Sequence, residues 1–254
     1  MIEPIKFDLV ADLYDAYVNT SLDIPFYLNE TDGFKGEILE LMCGTGRVSI
    51  PLLNSGRKLC CVDYSKGMLD SFRKKIIDKN YPVQLIQMDV SRLALNKEFG
   101  LIILPFHSFS EILTTDLQFH ALKAIARHLK PNGLFICPLQ NPKLKLKTAD
   151  GLTKQLGVFN FGENKLIISY NNRYDPQTKV VSGFQKYEIY DASNNLFEER
   201  NLDINFRPIS DSEFRSLIKP LDLKIVDIFG DYQKSVFDEE TSNFLIYKLK
   251  STKA

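Results

Sequence analysis

Hydrophobic positions follow three rhythms along this chain. Short, nearly unbroken apolar runs, at Ile38-Leu39-(Glu40)-Leu41-Met42, Lys58–Asp63, Val83–Met88, Phe99–Leu104 and Leu134–Leu139, predict buried strands. Between them the apolar positions shift to helical spacing: Val48 to about Ser55-Gly56, the segment opened by Tyr64-Ser65-Lys66, and Leu117–Leu129. Alternating strand and helix at this interval predicts a parallel sheet with right-handed crossovers. Beyond it, Lys165–Tyr174, Lys179–Tyr190 and Leu196–Phe206 alternate apolar with polar residues. Turn formers join them, which predicts a half-exposed, antiparallel three-stranded meander at 160–208. The chain then returns to the first plan with helix Ser210–Ile218 and strands Leu223–Phe229 and Asn243–Leu249. The expected fold is therefore one α/β domain over 1–254, its sheet mostly parallel with an antiparallel last strand, carrying an inserted β meander.

The first 30 residues read as helical. Phe7, Val10, Ala11, Tyr14, Tyr17 and Val18 recur at the spacing of a single amphipathic helix, which either packs on the domain body or closes over a ligand as a lid. A second helix begins near Ile24, with Asp23 as its N-cap and Pro25 in its first turn.

Chemistry concentrates where strands end. The first apolar run carries Glu40 and breaks at Gly44-Thr45-Gly46 before helical spacing resumes, a strand, a tight turn and a helix start. Glycines there let a ligand approach the main chain, and the helix N-terminus offers unpaired N–H groups. Asp63 ends the next strand about twenty residues on, where βαβ nucleotide folds place a ribose-binding acid. Asp89 ends the third, and Pro105-Phe106-His107 follows the fourth. All point to one crevice at the carboxyl edge of the sheet. A dinucleotide motif, G-x-G-x-x-G, is incomplete because Ser49 stands where its third glycine belongs.

Bulk properties narrow the partners. With Lys+Arg 32 against Asp+Glu 32 in 254 residues, neither nucleic acid nor an anionic membrane is the expected partner. Lys143, Lys145 and Lys147 form the best local basic patch and read as a solvated loop. Cys43, Cys60, Cys61 and Cys137 lie in apolar runs without CxxC spacing, and His107, His120 and His128 form no cluster with them. The expectation is buried thiols in a cytoplasmic protein, with no metal site.

In order and spacing, E-L-M-C-G-T-G-R, C-V-D-Y-S-K-G-M-L, Q-M-D-V and L-K-P-N-G resemble class I S-adenosylmethionine-dependent methyltransferases over nearly the whole chain. D-I-P-F-Y-L, P-F-x-S-F and G-D-Y…S-x-F (Gly230, Asp231, Tyr232, Ser235, Phe237) resemble the small-molecule members; Met42 departs from the glycine usual at its position. The resemblance implies a Rossmann-like fold and S-adenosylmethionine as cofactor. Met42, Cys43, Gly44 and Gly46 would pass under its methionine moiety, with Glu40 near the cationic end. Asp63 would accept the ribose hydroxyls, Tyr64 and Met68 would flank the adenine, and Asp89 and Val90 would bond its edge. Leu104 and Pro105 would line the methionine side, and Tyr14 would reach both cofactor and acceptor.

The implied reaction is methyl transfer to a small molecule, by a monomer or homodimer, with a nitrogen nucleophile favoured over oxygen. His107, with an ordinary pKa near neutrality, is the candidate base or substrate anchor, and Tyr14, Tyr17 and Tyr27 would stabilise a cationic amine through their ring faces. A nucleic-acid or protein methyltransferase, and a cofactor-binding protein without transferase activity, are the alternatives.

Overall fold

The computed structural model describes residues 3–253. The five apolar runs become strands β1 (Glu37–Leu41), β2 (Lys58–Asp63), β3 (Val83–Gln87), β4 (Phe99–Ile103) and β5 (Leu129–Gln140). After them come β6 (Asp150–Phe161), β7 (Asn164–Asp175), β8 (Val180–Tyr190) and β9 (Leu196–Phe206), and then β10 (Leu223–Phe229) and β11 (Phe244–Ser251). The main sheet has the order β3-β2-β1-β4-β5-β11-β10, parallel from β3 to β5, with β11 antiparallel to both its neighbours. This is the expected Rossmann-like arrangement with its reversed last strand.

Side chains alternate across this sheet and are buried on both faces, as parallel strands require. Leu39, Leu41, Cys60, Val62 and Ile102 enter one core; Ile38, Leu59, Cys61, Leu101 and Ile103 enter the other. Adjacent Cys60 and Cys61 thus face opposite ways, and all four cysteines are free and buried.

Short helices connect the strands: α1 (Tyr14–Tyr17), α2 (Ile24–Glu30), α3 (Ser49–Asn54), α4 (Lys66–Ile76), α5 (Thr115–His128), α6 (Pro142–Lys145) and α7 (Asp211–Ile218). Local chemistry sets their starts. Ser65 Oγ accepts from the Met68 N–H at 3.1 Å, Thr114 Oγ1 accepts from Leu117 at 3.2 Å, and Ser210 with Glu213 forms a capping box.

Two expectations fail here. The single helix over 7–18 is instead a 3₁₀ turn at Phe7–Leu9 followed by α1. The segment is a strap pressed between two surfaces, so it cannot keep its apolar residues on one helical stripe. Ile5, Val10 and Leu13 pack on β7, β8 and β9 through Leu166, Ile168, Tyr187, Ile189 and Leu202. Asp8 and Ala11 meet α4: Asp8 Oδ1 accepts the Gly67 N–H at 2.5 Å, and the Ala11 carbonyl accepts Ser71 Oγ at 3.3 Å. Second, the inserted sheet has four strands, β6-β7-β8-β9, rather than three, and begins at Asp150. β6 is an edge strand whose alternation is broken by Gly151, by Gly157 and by a register shift between Gln155 and Gly157, leaving Leu152, Leu156 and Val158 exposed.

Among the described residues no helix is long and apolar enough to cross a membrane.

Leu13 has no exposed surface and fixes the strap to the four-stranded sheet. Leu13→Ala is expected to cost about 2–5 kcal/mol in denaturant unfolding and to speed proteolytic cleavage within the strap. Leu9→Ala, at a half-exposed position of the same segment, should change stability by no more than about 0.5 kcal/mol.

Candidate active site

The turn after β1 carries three left-handed residues, Met42 (φ 54°), Gly44 (φ 55°) and Gly46 (φ 84°). The two glycines serve different ends. A Cβ on Gly44 would meet nothing within 4 Å, so the main chain there faces open space; a Cβ on Gly46 would lie 2.6 Å from the Phe72 ring of α4. Met42 pays about 1–2 kcal/mol for a backbone that glycine adopts freely, and its side chain lines the larger of the two cavities described below.

Asp63 locks this turn. Its Oδ2 accepts the Gly44 N–H at 2.7 Å and its Oδ1 the Ser65 N–H at 2.9 Å. Burial pushes its pKa above the ordinary value, while the amides pull it back. Arg47 places both terminal nitrogens on Asp23, at 2.5 and 2.7 Å, and lies 4.5 Å from the Phe106 ring centroid. Asp23, expected as a helix cap, makes no capping bond because Arg47 holds its carboxylate. Thr45 Oγ1 donates to Asp15 Oδ1 at 2.5 Å, tying strap to turn.

A cavity of about 470 Å³ opens beyond the ends of β1, β2 and β3, lined by Met42, Val62, Tyr64, Asp89 and Val90 together with Ile112, Leu113 and Leu117. Tyr64 Oη donates to the Ile5 carbonyl, so the strap forms its roof. Asp89 Oδ1 accepts from Ser91 N and Ser91 Oγ, both at 2.8 Å, leaving Oδ2 outside that turn.

A second cavity, of about 180 Å³, lies between the strap, the loop after β4 and the four-stranded sheet. Tyr14, Tyr17, His107, Gln140, Lys145 and Gln185 line it. Ile5 and Glu111 line both cavities and form the partition between them. Burial raises the Glu111 carboxyl to about 8, with Asp63 adding to the effect. Lys145 turns inward from the basic run read as a solvated loop, while Lys143 and Lys147 stay exposed.

His107 departs from its expected chemistry. Held left-handed (φ 53°), it stacks on Phe106 at 4.9 Å and faces Phe244 at 6.4 Å, and its Nδ1 is buried without a partner. Burial, reinforced by Lys145 and Arg47, lowers its pKa to about 3. The ring is neutral at physiological pH and a weak base. Behind it, Phe26 and Tyr27 of α2, Phe229 of β10, and Tyr232 and Phe244 pack edge to face or tilted, at 5.2–6.5 Å. The D-I-P-F-Y-L and G-D-Y motifs thus meet as the wall supporting His107. Tyr27 lies wholly inside that wall rather than on the cavity.

The site therefore gathers Met42, Tyr64, Asp89 and Val90 on one cavity and Tyr14 and His107 on the other, with Gly44 and Asp63 at the turn. Other candidates lie deeper. Glu40 is 1% exposed beneath the turn and accepts Ser49 Oγ at 2.7 Å, and burial raises it to about 8. Cys43, Met68, Leu104 and Pro105 are buried, and none lines either cavity. Sequence reasoning missed Glu111, Lys145 and Arg47. An acid and a cation near the sheet edge were visible in the letters, but only the fold turns them inward.

Comparison with known proteins agrees with this geometry. The Methyltransferase domain profile matches residues 38–133. The cypemycin N-terminal methyltransferase of Streptomyces sp is 30% identical over 147 residues, 56% of this chain and 59% of that protein. The chain spans about half the length of the curated relatives it matches. An S-adenosylmethionine-dependent methyltransferase from Clostridium acetobutylicum ATCC 824 superposes with TM-score 0.80 at 20% identity, over 97% of this chain and 99% of that one. The sugar N-methyltransferase KedS8 from Streptoalloteichus sp ATCC 53650 does so with TM-score 0.74 at 15% identity, over 95% and 92%.

Glu40 titrates about 8 folded against about 4.3 unfolded. Its contribution to stability is full below about pH 4.5 and is lost as pH rises toward 8, by up to about 1.4 kcal/mol per pH unit for that proton. Glu40→Gln keeps an acceptor for Ser49 and removes the titration. Chemical denaturation should find the variant equal to the parent at pH 5 and more stable at pH 8; an equal difference at both values would show that Glu40 does not titrate in this range.

Proposed function

We infer that the chain, whose residues 38–133 match the methyltransferase-domain profile, is a class I S-adenosylmethionine-dependent methyltransferase that methylates a small-molecule acceptor, with nitrogen as the receiving atom. The observation that carries this reading is the pair of adjoining cavities, one beside the glycine turn and one beneath the strap, divided only by Ile5 and Glu111. A cofactor-binding protein without transferase activity has no need of the second chamber.

The residues fit the cofactor. A carboxylate has about four acceptor positions, and Asp63 uses two of them on amides. The remaining two would take the ribose hydroxyls. Asp89 Oδ2 would accept from the adenine amino group, with the Val90 N–H donating to the ring and Tyr64 and Met42 against its faces. The open main chain at Gly44 would receive the methionine moiety, with Tyr14 above it. Glu40, enclosed beneath the turn, would act on that moiety only by supporting the backbone. When bound, the cofactor supplies a methyl carbon that the acceptor's lone pair attacks as the carbon–sulfur bond breaks, its electron pair passing to sulfur.

The protein's own contribution is placement and dryness. The strap, the loop after β4 and the four-stranded sheet enclose the acceptor, and fixed orientation lowers such a barrier by roughly 7–11 kcal/mol. Proton transfer to a positioned base typically adds only about 3–5 kcal/mol. His107, at about 3, is too weak a base to ionise a hydroxyl at neutral pH, but its Nδ1 can exchange a hydrogen bond with an acceptor. A neutral amine needs no such base during attack, and Tyr14 and Tyr17 offer ring faces to the cation that forms. KedS8 is a sugar N-methyltransferase and the cypemycin enzyme an N-terminal methyltransferase, and both support the same choice. The acceptor chamber's small volume favours a small molecule over nucleic acid or protein.

Asp63→Ala is expected to weaken S-adenosylhomocysteine binding by about a hundredfold or more, since it removes two hydrogen bonds to a charged group at about 1.5–3 kcal/mol each. Calorimetry showing unchanged affinity would remove Asp63 from the site. Labelled cofactor incubated with amines, phenols and carboxylic acids should label amines, whereas transfer only to oxygen acceptors would overturn the nitrogen assignment. His107→Ala should lower turnover with cofactor affinity retained; an unaltered rate at saturation would make the imidazole a packing group.

A further inference from the structure

The smaller cavity is lined by an acid and an ammonium, neither with an ion-pair partner among the described residues. Glu111 reaches it from the loop after β4. No cation among the described residues pairs with its carboxyl, whose titratable neighbours are Asp63 and the uncharged hydroxyls of Tyr14, Tyr17 and Tyr64. Lys145 reaches it from the end of α6. Its ammonium lies 5.5 Å from the Phe206 ring centroid, and no carboxylate among the described residues pairs with it. These two groups line one cavity of about 180 Å³ without bonding each other, and His107 lines the same cavity. Half-buried, the acid and the ammonium are each stabilised when a ligand supplies the partner of opposite sign.

We propose that this cavity takes an acceptor bearing both a basic amine and an acidic group, its amine against Glu111 at the partition and its carboxylate or phosphate against Lys145. The proposal rests on the transferase reading for the identity of the amine as the methylated atom, but not for the charge pattern. Tyr14 and Tyr17, with ring centroids 5.5 Å apart, complete a cationic pocket beside Glu111. An amine arrives as an ammonium, and its nitrogen has no lone pair until a proton leaves. The Glu111 carboxylate accepts that proton, becomes the acid, and returns it to solvent. Burial that brings Glu111 to about 8 suits it to this exchange near neutral pH, and burial that lowers the Lys145 pKa leaves that ammonium in want of an anion.

The test is calorimetric titration of the intact protein with 4-aminobutyrate and O-phosphoethanolamine, against butylamine, which lacks the acid, and butyrate, which lacks the amine. Either zwitterion should bind about tenfold or more tighter than butylamine, and the stronger of the two identifies the acidic group. Lys145→Met should erase that margin and leave butylamine unchanged. Glu111→Gln should weaken both zwitterions and butylamine while sparing butyrate. It should also abolish the proton that the parent releases to buffer at pH 7 on binding an amine, a readout that loss of packing alone would not move. Glu111→Asp serves where the glutamine variant fails to fold, and should retain the release.

Equal binding of butylamine, a margin that survives Lys145→Met, or no binding of either zwitterion at millimolar concentration overturns the proposal. A parallel titration with S-adenosylhomocysteine keeps the two readings apart. Discrimination among the probes without affinity for that molecule would sink the transferase reading alone, and affinity without discrimination would sink only this one.

Discussion

One carboxylate holds the site together. Asp63 ends β2, accepts an amide from the turn after β1, and accepts a second from the residue that caps α4. The end of β2, the start of α4 just after it and the turn after β1 are thereby fixed at one corner of the sheet edge. The parallel register beneath, with Glu37 beside Lys58 and Leu41 beside Val62, brings the ends of β1 and β2 level. Without that corner the open main chain at Gly44 would have no set position.

The electrostatics around this corner favour uncharged forms. Enclosure raises Glu40 and Glu111 and lowers His107, so all three groups tend toward neutrality. Arg47 remains charged by holding Asp23, and that pair closes the far side of the turn. A cationic ligand changes the balance. Positive charge near the partition would draw Glu111 back to the carboxylate, so the site acquires its charge from what it binds.

Much of the main sheet was legible because parallel strands buried on both faces read as apolar runs whose last residues share an edge. Asp63, Asp89 and the glycine turn were legible for that reason. What escaped was set by tertiary context. The strap's residues fit helical spacing, yet two packing surfaces break it at Val10–Leu13. β6 lacks clean alternation because Gly151, Gly157 and the register shift between Gln155 and Gly157 interrupt it. Lys145 belongs to a Lys-Leu-Lys-Leu-Lys run that resembles any solvated segment, and only α6 turns one of its cations inward. Its place after β4 marks His107 as a candidate in the sequence, but not its lowered basicity, since no letter reports that Phe106 and Phe244 flank the ring.

The partition of Ile5 and Glu111 has an implication for traffic. Ile5 belongs to the strap, which roofs the larger chamber through Tyr64 and walls the smaller through Phe7, Tyr14 and Tyr17. Lifting that single segment uncovers both compartments together. Access to either compartment therefore depends on the same segment, and whatever holds the strap down closes both.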